Sequence, residues 1–271
     1  MIDLLKKIVP NFIFFLLINI YTFFIYKSFI KKNKNLKNIS VNKRGFLLAT
    51  GPSVKNINIL KLRNEDCFTL SSFFLHKKIK KIKPAFHFLA PYHKPILIKD
   101  WIKWIKLADN NMPKQTKFVL SIKDKKNIGK YNLLKNREIF YLYFSSYVKL
   151  NNKIDLTKPL PDMITSPLMV LPFMIYMGYK EIFLIGCDSD NLKNYGKQIM
   201  NFYNENLSVI RGASKPWHLG IIKELENNLR MFRQYKNYAD YAKINNIKII
   251  NLSKESWLDF FEKKNFNKIL N

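Results

Sequence analysis

Cysteine, acid and recognisable metal-ligand clusters are what this 271-residue chain has least of. Its two cysteines, Cys67 and Cys187, lie far apart with no CxxC or Cys/His spacing. That excludes a disulfide scaffold and a structural zinc site, and it fits a reducing cytoplasm. Only 19 Asp+Glu stand against 47 Lys+Arg, a formal net charge of +28. Such an imbalance calls for a polyanionic surface or ligand, and nucleic acid and an anionic membrane both qualify. No RNP-type, zinc-finger or helix-turn-helix pattern accompanies the polybasic run Lys77-Lys78-Ile79-Lys80-Lys81-Ile82-Lys83. The run therefore reads as a solvated face turned toward a bilayer, and no nucleic acid partner is expected. Internal repeats of roughly 20 to 50 residues are also missing, which excludes a solenoid.

What is present begins with an apolar run, Ile8 to Ile30, about long enough to cross a hydrocarbon core at ~1.5 Å per helical residue. No small-x-small cleavage site follows it, so residues 1–30 are predicted to be a transmembrane or membrane-embedded helix rather than a signal peptide. Lys27, Lys31, Lys32, Lys34, Lys37, Lys43 and Arg44 follow the run, whereas only Lys6 and Lys7 precede it. This asymmetry places the remainder of the chain on the cytoplasmic side. Residues 31–44 read as a basic linker and 45–271 as the catalytic domain.

That domain alternates strand and helix, the α/β signature, and the expected architecture is a Rossmann-like, mostly parallel sheet with helices on both faces. Strands are expected at 45–49, 66–70, 85–90, 118–121, 139–143, 182–185 and 246–252. The first runs into Thr50-Gly51-Pro52-Ser53, where Gly51 would let backbone amides approach a phosphate or ribose; the same three residues also suit an ordinary turn. The second ends in Ser71-Ser72, hydroxyls either at a ligand edge or in a turn. His87 alternates with apolar neighbours and reads as a packed imidazole, whereas His93 sits on a loop where it can meet a ligand.

The clearest pattern runs from Thr165-Ser166 through an apolar helix, started by Pro167 and stopped by Gly178, into a strand ending Gly186-Cys187-Asp188. Hydroxyls and free amides at that helix start can hold an anionic group. Asp188 can accept from a ribose or sugar, hold a loop amide, act as a base, or cap a turn. Residues 189–216 are polar and irregular, as lids are. His218 follows at the head of a long helical pattern, placed for general-base work or for capping. A closing helix is expected over Ser256–Phe261.

Together, Thr50-Gly51-Pro52-Ser53-Val54, Ile164-Thr165-Ser166, and Gly178-Tyr179-Lys180-Glu181-Ile182-Phe183-Leu184 with Gly186 and Asp188 resemble the bacterial sialyltransferases of glycosyltransferase family 42 and related polysaccharide-assembly proteins. The resemblance spans residues 45 to about 260. It implies a metal-free GT-A variant fold and inverting transfer of a sialic acid-like sugar from a CMP-activated donor to a glycan or lipid-linked glycan acceptor. It further implies an address at the bacterial inner membrane and is compatible with a homo-oligomer. Thr50 to Ser53, with Ser71, Gly186 and Asp188, would hold the nucleotide, and Thr165 and Ser166 its ribose and phosphate. His218 would deprotonate the acceptor, and Tyr195 would stabilise the departing phosphate. The chain departs from the family in having Ser71 and Ala90 where asparagines stand, Met163 in place of an arginine, and its apolar segment at the amino end. Another nucleotide sugar, a pyrophosphokinase-like transfer using ATP and magnesium, and a non-enzymatic basic membrane scaffold are the alternatives. A divalent metal on the literal DxD match Asp188-Ser189-Asp190 is a further one.

Overall fold

A computed structural model describes residues 11–94, 96–150, 153–195, 201–203 and 220–270. Eight strands form one sheet: β1 (Arg44–Leu48), β2 (Asp66–Leu70), β3 (Phe86–Phe88), β4 (Lys117–Ser121), β5 (Ile139–Leu142), β8 (Glu181–Ile185), β9 (Lys248–Asn251) and β10 (Glu262–Lys263). Their order is β10-β9-β8-β1-β2-β3-β4-β5, and every neighbouring pair is parallel. Two short strands, β6 (Phe144–Ser145) and β7 (Leu160–Pro161), pair separately beside it.

The strands read as continuous apolar runs because both faces of the sheet are covered. Alternate residues go to opposite sides: Leu47 and Ala49 join a core containing Phe173 and Tyr235, while Phe46 and Leu48 join one containing Trp101 and Trp104. The helices supplying these layers are α2 (Ile98–Asn111), α3 (Pro167–Met177) and α4 (Ile221–Ile244). Leu168 through Met177 of α3 are all buried, as a helix apolar on every side demands. Pro167 opens α3, and Gly178, at φ +97°, closes it with its N–H on Ile175 O and Met174 O.

The amino-terminal segment departs from expectation. Among the described residues, no helix is long and apolar enough to cross a membrane, so the span expected within residues 1–30 has no support. What is described there is α1 (Asn11–Lys31), whose apolar character is broken by Asn19, Thr22, Tyr26 and Lys27. Its last turns belong to the domain: Ile30 is buried against Ile122 and Tyr143, with Phe23 and Tyr26 packed alongside. The opposite stripe, Leu17, Tyr21 and Phe24, is exposed.

Residues 31–44 are folded onto the sheet rather than strung out. Asn33 is fully buried and donates to Tyr141 O (2.8 Å) and Leu156 O (2.9 Å). Asn38 N and Ser40 N donate to Tyr176 O and Met177 O at the end of α3. The helix expected at 256–261 is also absent. Ser256 Oγ donates to Cys187 O (2.7 Å) and Trp257 N to Asp188 O (3.0 Å), so these donors serve β8 instead of a local helical turn.

Candidate functional site

The carboxyl ends of β1, β2 and β8 and the first turn of α3 enclose a cavity of about 190 Å³. It lies where the chain order reverses: β1 is flanked by β2 on one side and β8 on the other, the topological switch point at which open parallel sheets take ligands. Thr50, Gly51, Pro52, Ser71, Thr165, Ser166, Gly186 and Asp188 all line it. Residues separated by more than a hundred positions in sequence thus share one wall.

The loop after β1 is tied to the loop after β8. Gly51 N donates to Gly186 O (2.9 Å), Ser53 N to Asp188 Oδ2 (2.9 Å) and Ser53 Oγ to Asp188 Oδ1 (2.5 Å). Asp188 is therefore the holder of a loop amide, with both carboxylate oxygens engaged and little surface exposed. Ser53 occupies one acceptor site on each carboxylate oxygen, and little of the carboxylate is open to a ligand. Gly51 is required by the junction itself: a Cβ there would run into the Asp188 carboxylate and Gly186 O. Gly186, at φ +70°, faces Ala49 O and Val54 in the same crowded spot.

Several hydroxyls stand among the apolar and backbone groups of the lining. Ser71 Oγ donates to Ser166 Oγ (3.3 Å), joining β2 to the start of α3, and Thr165 Oγ1 donates to the Tyr235 hydroxyl (3.4 Å) on α4. Burial pushes the Tyr235 phenol far up, so it stays protonated and acts as a neutral donor or acceptor. Ser71 (φ +51°) and Ser189 (φ +51°) are both held in the left-handed region, a cost of order 1 kcal/mol each that clusters at functional sites. The second carboxylate at the rim, Asp190, pairs with Lys193 (3.5 Å). Asp190 is thus charge-paired, while Asp188 is held by the neutral donors of Ser53. Pro167 has no N–H, and Leu168 N and Met169 N donate to Thr165 O and Ser166 O, so the start of α3 presents the cavity with the hydroxyls of Thr165 and Ser166.

Other sequence candidates lie elsewhere. Tyr195 is exposed on the turn after Asn191–Asn194 and does not line the cavity. His218, with most of the irregular stretch 189–216, lies outside the described residues. His93 is exposed and directs Nδ1 to Lys94 O (3.0 Å). His87 is fully buried beside Thr69 Oγ1 (2.9 Å), and burial pulls its pKa down to about 3. The main residue that sequence reasoning missed is Ser253. Its Oγ accepts from Gly186 N (3.0 Å) and meets Ser53 Oγ (3.0 Å), which links β9 to the same junction. A hydroxyl just past the carboxyl end of a parallel strand, the rule that singled out Ser71, would have found it.

Fold and site define a Rossmann-like α/β protein with a cavity of mixed polar and apolar lining at its switch point. No protein-family model matches the chain, and a search of curated proteins finds no match. Among the described residues there is no group of three or more His, Cys, Asp or Glu arranged to hold a metal ion.

Proposed function

We propose that the chain is a nucleotide-sugar-dependent glycosyltransferase, sialyltransferase-like, that takes an acidic sugar from a CMP-activated donor. The observation that carries this reading is the switch-point cavity, where the hydroxyls of Ser71, Thr165 and Ser166 converge, Asp188 is engaged by Ser53 and Asp190 is paired with Lys193. That arrangement offers hydroxyl hydrogen bonds to a ribose and a phosphate. In this reading the leaving phosphate is stabilised by donors already in place. The acceptor oxygen forms the new bond to the anomeric carbon as the bond to the phosphate oxygen breaks. The acceptor proton passes to His218, assigned on its sequence position alone.

Thermal unfolding in the presence of CMP, UDP and ATP with magnesium tests the donor class. CMP at a hundred times its Kd is expected to add about 2.7 kcal/mol of apparent stability, and Ser166→Ala together with Thr165→Val to remove most of that gain. A shift with ATP and magnesium only would instead favour diphosphate transfer. Transfer measured with CMP-activated donor is expected to persist in EDTA and to collapse in His218→Ala, with the CMP shift retained. Strict metal dependence would sink the metal-free mechanism.

The proposal includes attachment to an anionic leaflet. Leu17, Tyr21 and Phe24 form an exposed apolar stripe on α1, and Lys27, Lys31, Lys34 and Lys37 stand close behind it. Each such cation near an anionic surface contributes about 1 kcal/mol of attraction. In flotation with vesicles of phosphatidylglycerol, replacing Leu17, Tyr21 and Phe24 together by serine is expected to release the protein into the lower fraction. Unchanged flotation would show that the lysines act without α1.

A further inference from the structure

A second cavity, of about 540 Å³, shares no lining residue with the first. Its size suits a ligand of one or two sugar rings. One wall is a single face of α4, on which Arg230, Gln234, Asn237 and Tyr241 follow at steps of three or four residues. Facing it are residues 146–150 after β6 and Pro161–Asp162 at β7.

The two cavities have a common partition. In the segment 162–168, Asp162 and Leu168 face the larger cavity while Thr165 and Ser166 face the smaller. Gln234 fixes this partition from the larger side. Its Nε2 donates to Asp162 O (2.7 Å) and its Oε1 accepts from Ile164 N (3.0 Å), one residue before Thr165. A ligand in the larger cavity therefore lies directly behind the wall of the donor site.

The charges name the ligand. Asp162 is paired with Arg230 (3.0 Å) and Asp240 with Lys236 (2.7 Å). Lys149 has no acidic partner, and the Asn237 amide no hydrogen-bond partner, among the described residues. The wall so has one uncompensated positive charge and a free planar amide, beside the rings of Tyr238 and Tyr241. One carboxylate for the ammonium, hydroxyls for the amide and the spare guanidinium N–H groups, and a C–H face for a tyrosine ring are what an acidic pyranose presents.

We propose that this cavity binds an acidic sugar unit of the acceptor glycan, an assignment that rests on the glycan-transfer reading. Lys149 receives the carboxylate, Asn237 and Arg230 receive ring hydroxyls, and the Gln234 clamp keeps the bound unit registered against the donor site.

Titration calorimetry on the full chain tests it, with three separate ligands: a glucuronate-containing disaccharide, the neutral disaccharide of the same linkage, and CMP. The acidic disaccharide is expected to bind about tenfold or more tightly than the neutral one, the difference made by one charge-assisted contact. Lys149→Ala and the cavity-filling Asn237→Trp are each expected to weaken it by a similar factor. Lys103→Ala, an exposed lysine on α2 that does not line the cavity, is expected to leave it unchanged. CMP affinity is expected to be the same in all three variants, which also shows that they are folded. No binding of the acidic disaccharide, equal binding of the neutral one, or indifference to both cavity variants overturns the proposal. Failure of CMP to bind the wild-type chain overturns the nucleotide reading instead, and the disaccharide result then stands as a separate glycan site.

Discussion

Gly51→Ala is expected to cost the protein roughly 3 kcal/mol or more of stability and, on the proposed glycosyltransferase reading, its binding of CMP. The added methyl would stand inside the space of the Asp188 carboxylate and the Gly186 carbonyl, and neither is the movable end of a long side chain. Gly186 is held by Gly51 N and Ser253 Oγ, and Asp188 is held by Ser53 and, through its carbonyl, by Trp257 N. Relief requires the loop after β1 to move away, which breaks the two bonds from Ser53 to Asp188 and leaves a buried carboxylate with reduced pairing. Overpacking contributes about 1 to 3 kcal/mol and loss of a charge-assisted hydrogen bond about 1.5 to 3 kcal/mol. Urea denaturation and a CMP titration on the same preparation check both effects. Unchanged CMP affinity together with the stability loss would show that the junction is scaffold only.

The second large effect concerns Asp124, which follows β4 and is 2 % exposed. Tyr92 N donates to its Oδ1 (3.1 Å), while its Oδ2 is buried with no partner. Burial outweighs the Tyr92 bond and the nearby Lys123 charge and pushes its pKa up to about 7. Between pH 4 and 7 the folded state therefore holds a proton that the unfolded chain has released. Stability from this group falls as pH rises through that window, by at most about 4 kcal/mol, and stays at the lower level above it. His87 acts in the opposite direction. With its pKa lowered to about 3, it withdraws stability as pH falls below its unfolded value near 6.5. The two slopes oppose each other, so the wild-type profile is expected to be shallow. Asp124→Asn keeps an acceptor for Tyr92 N and removes only the ionisation. Its stability relative to wild type is expected to rise from pH 4 to pH 8, read as the difference in urea midpoints. A constant difference would mean that Asp124 is ionised throughout.

Local patterning made much of the sheet readable. β2 and α3 have the boundaries their residues indicate: a short apolar run for β2, and an apolar run between Pro167 and Gly178 for α3. Continuous apolar strands indicated a parallel sheet covered on both sides, and the hydroxyls at strand ends marked where a ligand edge would lie. Reading Ser256–Phe261 as a helix failed because Ser256 and Trp257 bond to Cys187 O and Asp188 O in the loop after β8, some 70 positions earlier in the chain, and no local propensity encodes that. The apolar run near the amino terminus showed a helix in composition alone. That Phe23, Tyr26 and Ile30 dock against Ile122 and Tyr143 depends on where β4 and β5 place those residues.

The sequence by itself determined the α/β class, most strand positions, the start and stop of α3 and the residues at the carboxyl edge of the sheet. These follow from the period of apolar side chains and from the backbone chemistry of proline and glycine, both of which act over a few residues. Only the tertiary structure decided which edge residues face a ligand and which hold the edge together. Ser53 and Asp188 are 135 positions apart and satisfy each other, so the acid that looked most like chemistry supports the loop. Gly51 is small for the sake of that pairing. Ser71, Thr165 and Ser166 line the cavity at the same edge, where Ser71 meets Ser166 and Thr165 meets Tyr235 across distances in sequence that no local pattern encodes.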